Sequence, residues 1–279
     1  MDSFPELSVR KNTLASRLKF SGGLSSVDMH GTRQLARELG LSEAQTMRAL
    51  LARGIWPERF LRSRESLSEE TLLRLLSSRV LIAGCGGLGG HLSALLARSG
   101  IGSLILCDPD VFEESNLNRQ HFCTEKTLGC LKVDACRDGL LEMASYLEVR
   151  TVPHELNEAN LPGLLEGTDA VADCLDSLDK KKMLEKAARN AGVPYLHGAV
   201  ARHEGFAFLD GEGAITLSRL YAAAETTEGN MNTTGLTVAG TACVMAALLV
   251  RLLGMEKDNR GRLFHIDVSL PELESFSLI

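Results

Sequence analysis

A short apolar run at residues 80–83 leads directly into a glycine-rich loop, and this junction constrains the fold more than any other feature of the chain. Gly84, Gly86 and Gly89 have the spacing G-x-G-x-x-G, and leucines at helical spacing follow them. Such a loop between a buried strand and a helix allows a tight turn, close approach of the backbone to a phosphate, and close packing of helix on strand. The pattern predicts an α/β fold with a nucleotide at this loop.

Strands and helices alternate after the loop, which indicates βαβ units and a mostly parallel sheet. Two later strands flank a long apolar helix and are expected to add antiparallel strands at the C-terminal end. We therefore predict a Rossmann-like, doubly wound α/β domain over residues 56–279. The predicted strands are 80–83, 103–107, 148–152, 169–174, 194–197, 206–209 and 263–266, and the helices 88–96, 133–143, 158–165, 180–191 and 237–253.

Residues 1–55 are predicted to form a small N-terminal extension. Its first 27 residues are rich in serine and basic residues and are expected to be loose. Residues 32–54 have helical spacing that breaks at Gly40, and Ser42 suits the cap of a second helix. The pattern is typical of a helical hairpin that packs on the main domain or on a partner. It also has the spacing of a helix-turn-helix, an interpretation that the acidic charge of the chain disfavours.

Composition narrows the class of protein. The 279 residues carry a net charge of -6, which disfavours sequence-independent binding to nucleic acid. Seven cysteines without a C-x-x-C pair fit a reduced, cytoplasmic protein, and the N-terminus lacks a signal-peptide pattern. The longest apolar run, residues 238–249, is interrupted by Gly240 and Thr241 and is expected to be too short to span a bilayer.

Polar residues after the second strand indicate what kind of nucleotide binds. Asp108 follows that strand about 20 residues beyond the loop, where a carboxylate can hold ribose hydroxyls. The loop and Asp108 by themselves are most typical of NAD or FAD sites. Two cations, Arg119 and Lys132, then follow among amide and hydroxyl groups, an arrangement that suits a polyphosphate whose charge rises during reaction.

Two carboxylates stand at the end of a later strand, on the edge where ligands bind in open α/β sheets. Asp176 is a candidate Mg²⁺ ligand, because Mg²⁺ prefers one or two carboxylates together with phosphate oxygens. For Asp173, a structural or helix-capping role is at least as reasonable as a functional one. His197 ends the next strand, and it is interpreted as a structural histidine or, alternatively, as a substrate contact.

Five motifs in this order and spacing resemble those of the HesA/MoeB/ThiF family, bacterial relatives of the ubiquitin-activating enzymes. They are G-C-G-G-L-G, D-P-D, S-N-L-N-R-Q, G-C-L-K and D-C-L-D-S. The resemblance covers about residues 59–268. It implies a homodimeric adenylation domain that uses ATP and Mg²⁺ to activate the C-terminal glycine of a small ubiquitin-like carrier protein ending in Gly-Gly.

The resemblance also implies roles for individual residues. Arg119 and Lys132 would face the phosphates, Asp176 would hold the metal, and Arg62, in a motif of the form R-[YF]-x-R, would reach the ATP of the partner subunit. A surface arginine is the competing interpretation of Arg62. The full set expected to bind ATP is Gly84, Gly86, Gly87, Gly89, Asp108, Asp110, Ser115, Asn116, Arg119, Gln120, Lys132, Asp176 and Ser177.

The implied chemistry is consistent with these side chains. A C-terminal carboxylate has a reference pKa of about 3.5, so it is ionised at neutral pH and needs no general base. The reaction instead requires cations that screen the approaching anion and stabilise the departing pyrophosphate. Arg119, Lys132, Arg62 and Mg²⁺ would supply this charge.

The chain departs from the family in its cysteines. It lacks the two C-x-x-C pairs that hold zinc in many members, so we expect no zinc. The predicted crossover loop at residues 226–234 has no cysteine, and Cys243 and Cys85 are expected to be packed thiols. The acyl-adenylate is therefore the last intermediate that the sequence supports, and a separate sulfur donor or an amine would have to complete the reaction.

Three alternatives remain open at this level. Adenylation of a free peptide or of the carboxylate of a modified tRNA base would use the same site. A non-catalytic, nucleotide-binding regulatory module is a second alternative. NAD-dependent redox chemistry is the third, since it uses the same type of loop.

Overall fold

The computed structural model describes residues 18–21, 23–211, 216–222, 232–255 and 260–278. Two short 3₁₀ helices, Glu58–Ser63 and Glu114–Asn116, accompany the regular elements. The strands are β1 (Lys19–Ser21), β2 (Leu24–Val27), β3 (Ile55–Pro57), β4 (Arg79–Ala83), β5 (Ser103–Cys107), β6 (Glu148–Val152), β7 (Ala170–Asp173), β8 (Tyr195–Ala201), β9 (Glu204–Leu209), β10 (Arg262–Asp267) and β11 (Glu272–Ser277). The helices are α1 (Met29–Leu39), α2 (Glu43–Leu51), α3 (Glu69–Leu75), α4 (Gly87–Ser99), α5 (Lys132–Met143), α6 (Leu161–Leu165), α7 (Leu178–Ala191), α8 (Leu217–Leu220) and α9 (Gly235–Leu253).

Eight of these strands form one sheet in the order β11-β10-β9-β8-β7-β4-β5-β6. Strands β4 to β8 run parallel to one another, and β9, β10 and β11 extend the sheet from β8 in antiparallel fashion. The predicted doubly wound, mostly parallel sheet with antiparallel C-terminal strands is confirmed. The register sets Ala83 beside Cys107 on one side and beside Asp173 on the other, and Asp173 beside His197. The carboxyl ends of four strands therefore meet at one edge.

Helices cover both faces of this sheet. On one face α4, α5 and α9 bury a large apolar core with the sheet and with α3. On the other face α6, α7 and α8 bury a second, smaller core that includes Leu81, Val171 and Tyr195. The strands between the two cores are near-continuous apolar runs, as expected when both faces of a parallel sheet are buried.

Helix α9 corrects the expectation drawn from the apolar run at 238–249. The helix has 19 residues with a mean hydropathy of 2.0, so by length and composition it could cross a membrane. Gly240 and Thr241 lie within the continuous helix, and the hydroxyl of Thr241 is satisfied there by donating to the Thr237 carbonyl at 2.8 Å. Val238, Met245 and Leu249 are buried along the helix, which packs against α4, β8 and β9. This is the position of a core helix.

The N-terminal extension is more ordered than the sequence suggests. Strands β1, β2 and β3 form a small sheet, so the expectation of a loose segment is wrong for residues 19–21 and 24–27. Residues 1–17 of that expected loose segment lie outside the described residues. The two predicted helices are present. Gly40 ends α1 at φ +65°, and Ser42 caps α2 through a reciprocal bond with Gln45.

The hairpin also packs on the main domain. Met47 and Leu51 of α2 belong to the same core as Trp56, Phe60 and the helices around the large sheet. Strand β3 at Ile55–Pro57 spans the boundary placed between residues 55 and 56, and that division stays a prediction.

Two smaller differences concern element ends. The helix expected over 158–165 begins only at Leu161, because Asn157 and Asn160 form a hydrogen-bonded turn before it. Strand β11 at Glu272–Ser277 was missed, because it is an exposed edge strand whose polar residues mask the pattern.

Candidate functional site

The glycine loop joins β4 to α4 at the carboxyl edge of the sheet. Gly84 has φ +94°, and a Cβ built there would lie 2.6 Å from the Cys174 carbonyl oxygen. A Cβ on Gly89 would lie only 1.8 Å from the Gly84 carbonyl oxygen. A side chain at either position would therefore push the loop away from β7 or the helix away from the loop.

The loop presents the amino-terminal end of α4, which begins at Gly87 with Gly86 as its N-cap. Within the described residues, no side chain caps these amide groups. The amino end of a helix carries partial positive charge and unpaired N–H donors, a ready site for a phosphate.

Gln120 lies against this loop and has an unsatisfied acceptor. A Cβ on Gly86 would lie 3.5 Å from Gln120 Nε2. Gln120 is 8% exposed, and its Oε1 finds no hydrogen-bond partner within the described part of the chain. A buried amide oxygen without a donor is costly, so a ligand with a donor group would stabilise this position.

Asp108 braces the loop. Its Oδ2 accepts the Cys85 N–H at 2.7 Å and its Oδ1 accepts the Asp110 N–H at 2.9 Å. Burial raises the pKa of Asp108, and the charge of Lys132 opposes that rise. Its expected contact with ribose stays a prediction. The backbone contacts show a structural role that the sequence alone did not reveal.

Lys132 and Asp110 form an ion pair beside the loop. Lys132 Nζ lies 2.8 Å from Asp110 Oδ2, and the Lys132 N–H donates to the Asp110 carbonyl at 2.9 Å. Lys132 is 8% exposed, whereas Asp110 is exposed. Lys132 therefore holds a nearly buried cation at the start of α5, with a solvated carboxylate as its counter-ion.

The segment that contains Ser115 and Arg119 lies next to the glycine loop. A Cβ on Gly87 would lie 3.8 Å from the Arg119 carbonyl oxygen. The guanidinium of Arg119 donates to the Ser115 carbonyl and to Asn118 Oδ1, both at 2.9 Å. Asn116 is buried and accepts the Glu113 N–H at 3.1 Å. The segment is therefore a folded turn that holds Arg119 next to the loop.

Asp176 and Ser177 lie in the turn between β7 and α7, and Asp176 is exposed. Its neighbour Lys180 forms an ion pair with Glu155. The pKa of Lys180 is raised by that hydrogen bond and further by the charges of Asp176 and Asp110. Asp110 and Asp176 come from different turns, yet both lie close enough to Lys180 for their charges to act on it.

Arg62 does not lie at this edge of the sheet. It is exposed in the 3₁₀ helix Glu58–Ser63, whose Phe60 ring lies 3.5 Å from a Cβ built on Gly100. Gly100 caps the far end of α4, and a helix of this length spans about 20 Å at 1.5 Å per residue. Arg62 is thus separated from the glycine loop by the length of α4.

A buried polar cluster that sequence reasoning did not find lies directly behind Asp176. It consists of Asp173, Lys181, Tyr195 and His197, and we call it the closed cluster. Lys181 Nζ lies 3.1 and 3.2 Å from the two Asp173 oxygens, and Tyr195 donates to Asp173 Oδ2 at 2.6 Å. His197 Nδ1 lies 2.7 Å from the same oxygen. The single signal in the sequence was that Asp173 and His197 end strands that proved to be neighbours.

The charge states in the closed cluster follow from these contacts. Burial raises the pKa of Asp173, but Lys181 together with the bonds from His197 and Tyr195 outweighs it and lowers the pKa to about 2. Burial and the charge of Lys181 lower the pKa of His197. Asp173 is therefore a carboxylate and His197 is neutral at neutral pH, with its Nδ1–H donated to Asp173.

The thiols divide into buried and accessible ones. Cys85 is buried, as expected, and contact with Cys136 together with burial raises its pKa. Cys243 is exposed, which corrects the expectation of a packed thiol. It lies on the side of α9 opposite the buried residues Val238, Thr241 and Met245, and the overall apolarity of the helix had obscured this face.

Known proteins match most of this chain. A model of the ThiF family matches residues 60–278. The molybdopterin-synthase adenylyltransferase of Escherichia coli strain K12 is 34% identical over 212 residues, covering 74% of this chain and 85% of that protein. The SAMP-activating enzyme E1 of Haloferax volcanii is 34% identical over 132 residues, which span 47% of this chain and 49% of the enzyme.

Solved structures share the fold at lower identity. E. coli MccB with succinimide aligns at a TM-score of 0.70 with 22% identity, covering 79% of this chain and 70% of the other. The crystal structure of PaaA aligns at a TM-score of 0.66 with 21% identity, covering 79% and 73%. These two likenesses concern the fold alone.

Proposed function

We propose that this chain, which belongs to the ThiF family and is an adenylyltransferase, uses ATP to adenylate the C-terminal carboxylate of a small ubiquitin-like carrier protein. One observation carries the proposal. The amino end of α4 is uncapped, and Gln120 lies against it with an unpaired amide oxygen. Arg119 is held next to the loop, and the turns beside it carry the ion-paired Lys132 and the exposed Asp176. That arrangement suits a triphosphate more than the neutral ring of a nicotinamide.

ATP would lie along the edge formed by the glycine loop and the two turns beside it. The N–H groups at Gly87 would receive phosphate oxygens, and Lys132 would exchange part of its bond with Asp110 for a phosphate. Gln120 Oε1 would accept a hydroxyl or amine donor of the nucleotide. Each of these groups is held in place before the ligand arrives, so little ordering is required on binding.

The donors at this edge suit Mg²⁺. Asp176 and Asp110 offer exposed carboxylate oxygens, and hard cations prefer oxygen ligands. When bound, Mg²⁺ would neutralise charge on the phosphates. We propose that the chain needs no structural zinc, because its sequence lacks the two C-x-x-C pairs.

The chemistry is a displacement at the α-phosphate. The ionised carboxylate of the carrier forms a bond to that phosphorus, the bond to pyrophosphate breaks, and no proton is transferred. Lys132 and Arg119 would screen the two anions and stabilise the pyrophosphate as its charge rises. The product is an acyl-adenylate, and we propose that a separate nucleophile, a sulfur donor or an amine, consumes it.

We further propose a homodimer in which Arg62 completes the partner's site. The distance of Arg62 from its own glycine loop, along the whole of α4, supports action in trans. Mixing Arg62→Ala protein with Asp176→Asn protein should restore activity, because a hybrid dimer contains one site with both residues intact. Arg64→Ala replaces Arg62→Ala in the control mixture. If the mixture stays as inactive as its parts, Arg62 does not act across subunits.

The substrate is tested by exchange of labelled pyrophosphate into ATP. Carriers ending in Gly-Gly, a free peptide and tRNA are compared with wild type and with Lys132→Met. We expect exchange only with a carrier and its loss in the variant. Exchange driven by the peptide would favour the alternative substrate, and tight ATP binding without exchange on any substrate would indicate a regulatory module.

A further inference from the structure

A chain of hydrogen bonds leads from the closed cluster to a tyrosine hydroxyl that adenylation does not require. His197 Nε2 lies 2.8 Å from the Tyr221 hydroxyl, and His197 Nδ1 lies 2.7 Å from Asp173 Oδ2. Asp173 and His197 are fully buried, whereas Tyr221 is half-buried and directly follows α8. The ionised carboxylate of the carrier needs no general base. Adenylation, the first half-reaction, therefore does not use these hydrogen bonds.

The direction of each hydrogen bond is determined by its partners. Asp173 is a carboxylate and can only accept, so Nδ1 of His197 carries the ring proton. Nε2 is then the acceptor and Tyr221 is the donor. The order hydroxyl, imidazole, carboxylate is that of a hydrolase triad with a tyrosine in the place of the serine.

The hydrogen-bonded chain is built into the site described above. Asp173 Oδ1 accepts the Leu175 N–H at 3.1 Å, one residue before Asp176. Lys181 donates to the Gly198 carbonyl at 2.9 Å, and a Cβ on Gly198 would lie 3.2 Å from Leu88 in the first turn of α4. Asp173, the inner end of the hydrogen-bonded chain, therefore lies next to the turn that carries Asp176, and Gly198, which follows His197, lies next to the first turn of α4.

A purely structural role for Asp173 would need fewer polar partners than this carboxylate has. Lys181 and the Tyr195 hydroxyl already pair with Asp173, so His197 adds a third partner to an occupied oxygen. A buried polar network costs desolvation that an apolar core avoids. Its retention up to a half-buried hydroxyl indicates use at that hydroxyl.

We propose that Tyr221, His197 and Asp173 accept the proton of a nitrogen nucleophile that attacks the acyl-adenylate. This inference rests on the proposed function and concerns its second half-reaction. The nitrogen forms a bond to the acyl carbon, and the bond between that carbon and the phosphate oxygen breaks, releasing AMP. The N–H proton passes to the Tyr221 oxygen while the Tyr221 proton passes to His197 Nε2. The imidazolium later returns its Nε2 proton to Tyr221, whose hydroxyl releases a proton to water, because His197 itself is fully buried. Asp173 stabilises the imidazolium and remains ionised.

The test uses two probe nucleophiles that differ in whether they must lose a proton. Acyl-adenylate is formed in a single turnover on the full chain and is then mixed with glycinamide or with an aromatic thiol in its thiolate form. Acyl transfer is followed by mass spectrometry. Tyr221→Phe and His197→Gln are expected to slow transfer to glycinamide by about 100-fold, the size of a general-base contribution. Transfer to the thiolate should change far less.

Tyr146→Phe is the matched control, because it removes a buried tyrosine hydroxyl that donates to the Ala97 carbonyl at the other end of the fold. Equal slowing of both probes in Tyr221→Phe would show a merely structural role and overturn the relay, as would unchanged transfer to glycinamide. Pyrophosphate exchange in wild type is measured first. Absence of exchange would count against the adenylation proposal. Intact exchange, combined with acyl transfer to glycinamide that does not depend on Tyr221 or His197, would count against the relay alone.

Discussion

Two polar clusters lie side by side at the carboxyl edge of the sheet, and they differ in how completely they are satisfied. The open cluster, Asp110, Arg119, Gln120, Lys132 and Asp176, contains exposed carboxylates and a buried amide oxygen without a partner among the described residues. In the closed cluster every polar side chain has a partner. The open cluster therefore has groups left for a ligand, whereas the polar groups of the closed cluster are already paired with one another.

The largest expected effect falls on stability in the closed cluster. Lys181→Met would leave the Asp173 carboxylate buried without its cation, which should cost about 3–5 kcal/mol of unfolding free energy. Lys180→Met is the matched control, because its pair with Glu155 is partly exposed and should contribute at most about 1 kcal/mol. Denaturant titration measures both. Similar losses of unfolding free energy in the two variants would contradict the expected difference between a buried and a solvated ion pair.

Asp176→Asn tests the open cluster, where we expect a large loss of activity and little change in stability. It should slow pyrophosphate exchange by about 100- to 1,000-fold, in the range of a lost electrostatic contact to the transition state. Its unfolding free energy should change by no more than about 0.5 kcal/mol, because the side chain is exposed. Asp179→Asn, an exposed carboxylate three residues later, should leave exchange intact. A matching loss there would indicate a general charge effect.

Gly89→Ala tests whether the geometry of the glycine loop supports both stability and ATP binding. The new methyl group would collide with the Gly84 carbonyl, and the strain should cost about 1–3 kcal/mol. Because the loop must shift, the rise in melting temperature on adding ATP should shrink as well. Gly163→Ala, with nothing within 4 Å of its Cβ, is the control. An unchanged ATP response in Gly89→Ala would contradict a phosphate site at this loop.

Acid should also weaken the closed cluster. The pKa of Asp173 is about 2 when folded and 3.8 when unfolded, so its contribution is present above pH 3.8 and is lost as pH falls towards 2. That shift corresponds to about 2 kcal/mol. The lowered pKa of His197 acts in the same direction, starting as pH falls below 6.5. Thermal unfolding across this pH range should show stability that declines with acid, with a shallower decline between pH 7 and 5 in His197→Gln.

The open cluster was largely readable from the sequence. Asp110 and Asp176 come two or three residues after a predicted strand end, and parallel strands bring such ends to one edge. Arg119, Gln120 and Lys132 lie farther from the strand, but they stand in the short motifs S-N-L-N-R-Q and G-C-L-K. The glycine spacing, the cations and Asp176 could therefore be assembled from local patterns. Arg62 could be read as a motif residue, but its distance from the loop depends on how α4 and the 3₁₀ helix pack.

The closed cluster could not be read in the same way. Its members are separated by up to 24 residues along the chain, and Tyr221 comes from an element on a different connection. Which side chain faces inward at a strand end depends on register and on the helix above it. Cys243 shows the same effect, since an apolar helix does not reveal which of its residues remains uncovered.

The sequence by itself determined the doubly wound sheet, the glycine loop and the charged residues around it, because strand periodicity and turn chemistry are local properties. Only the tertiary structure decided that Asp173, Lys181, His197 and the two tyrosines share one buried network, and that Arg62 lies at the far end of α4. Those facts depend on which strands become neighbours and which faces they bury. Long-range packing sets both, and no short stretch of residues encodes it.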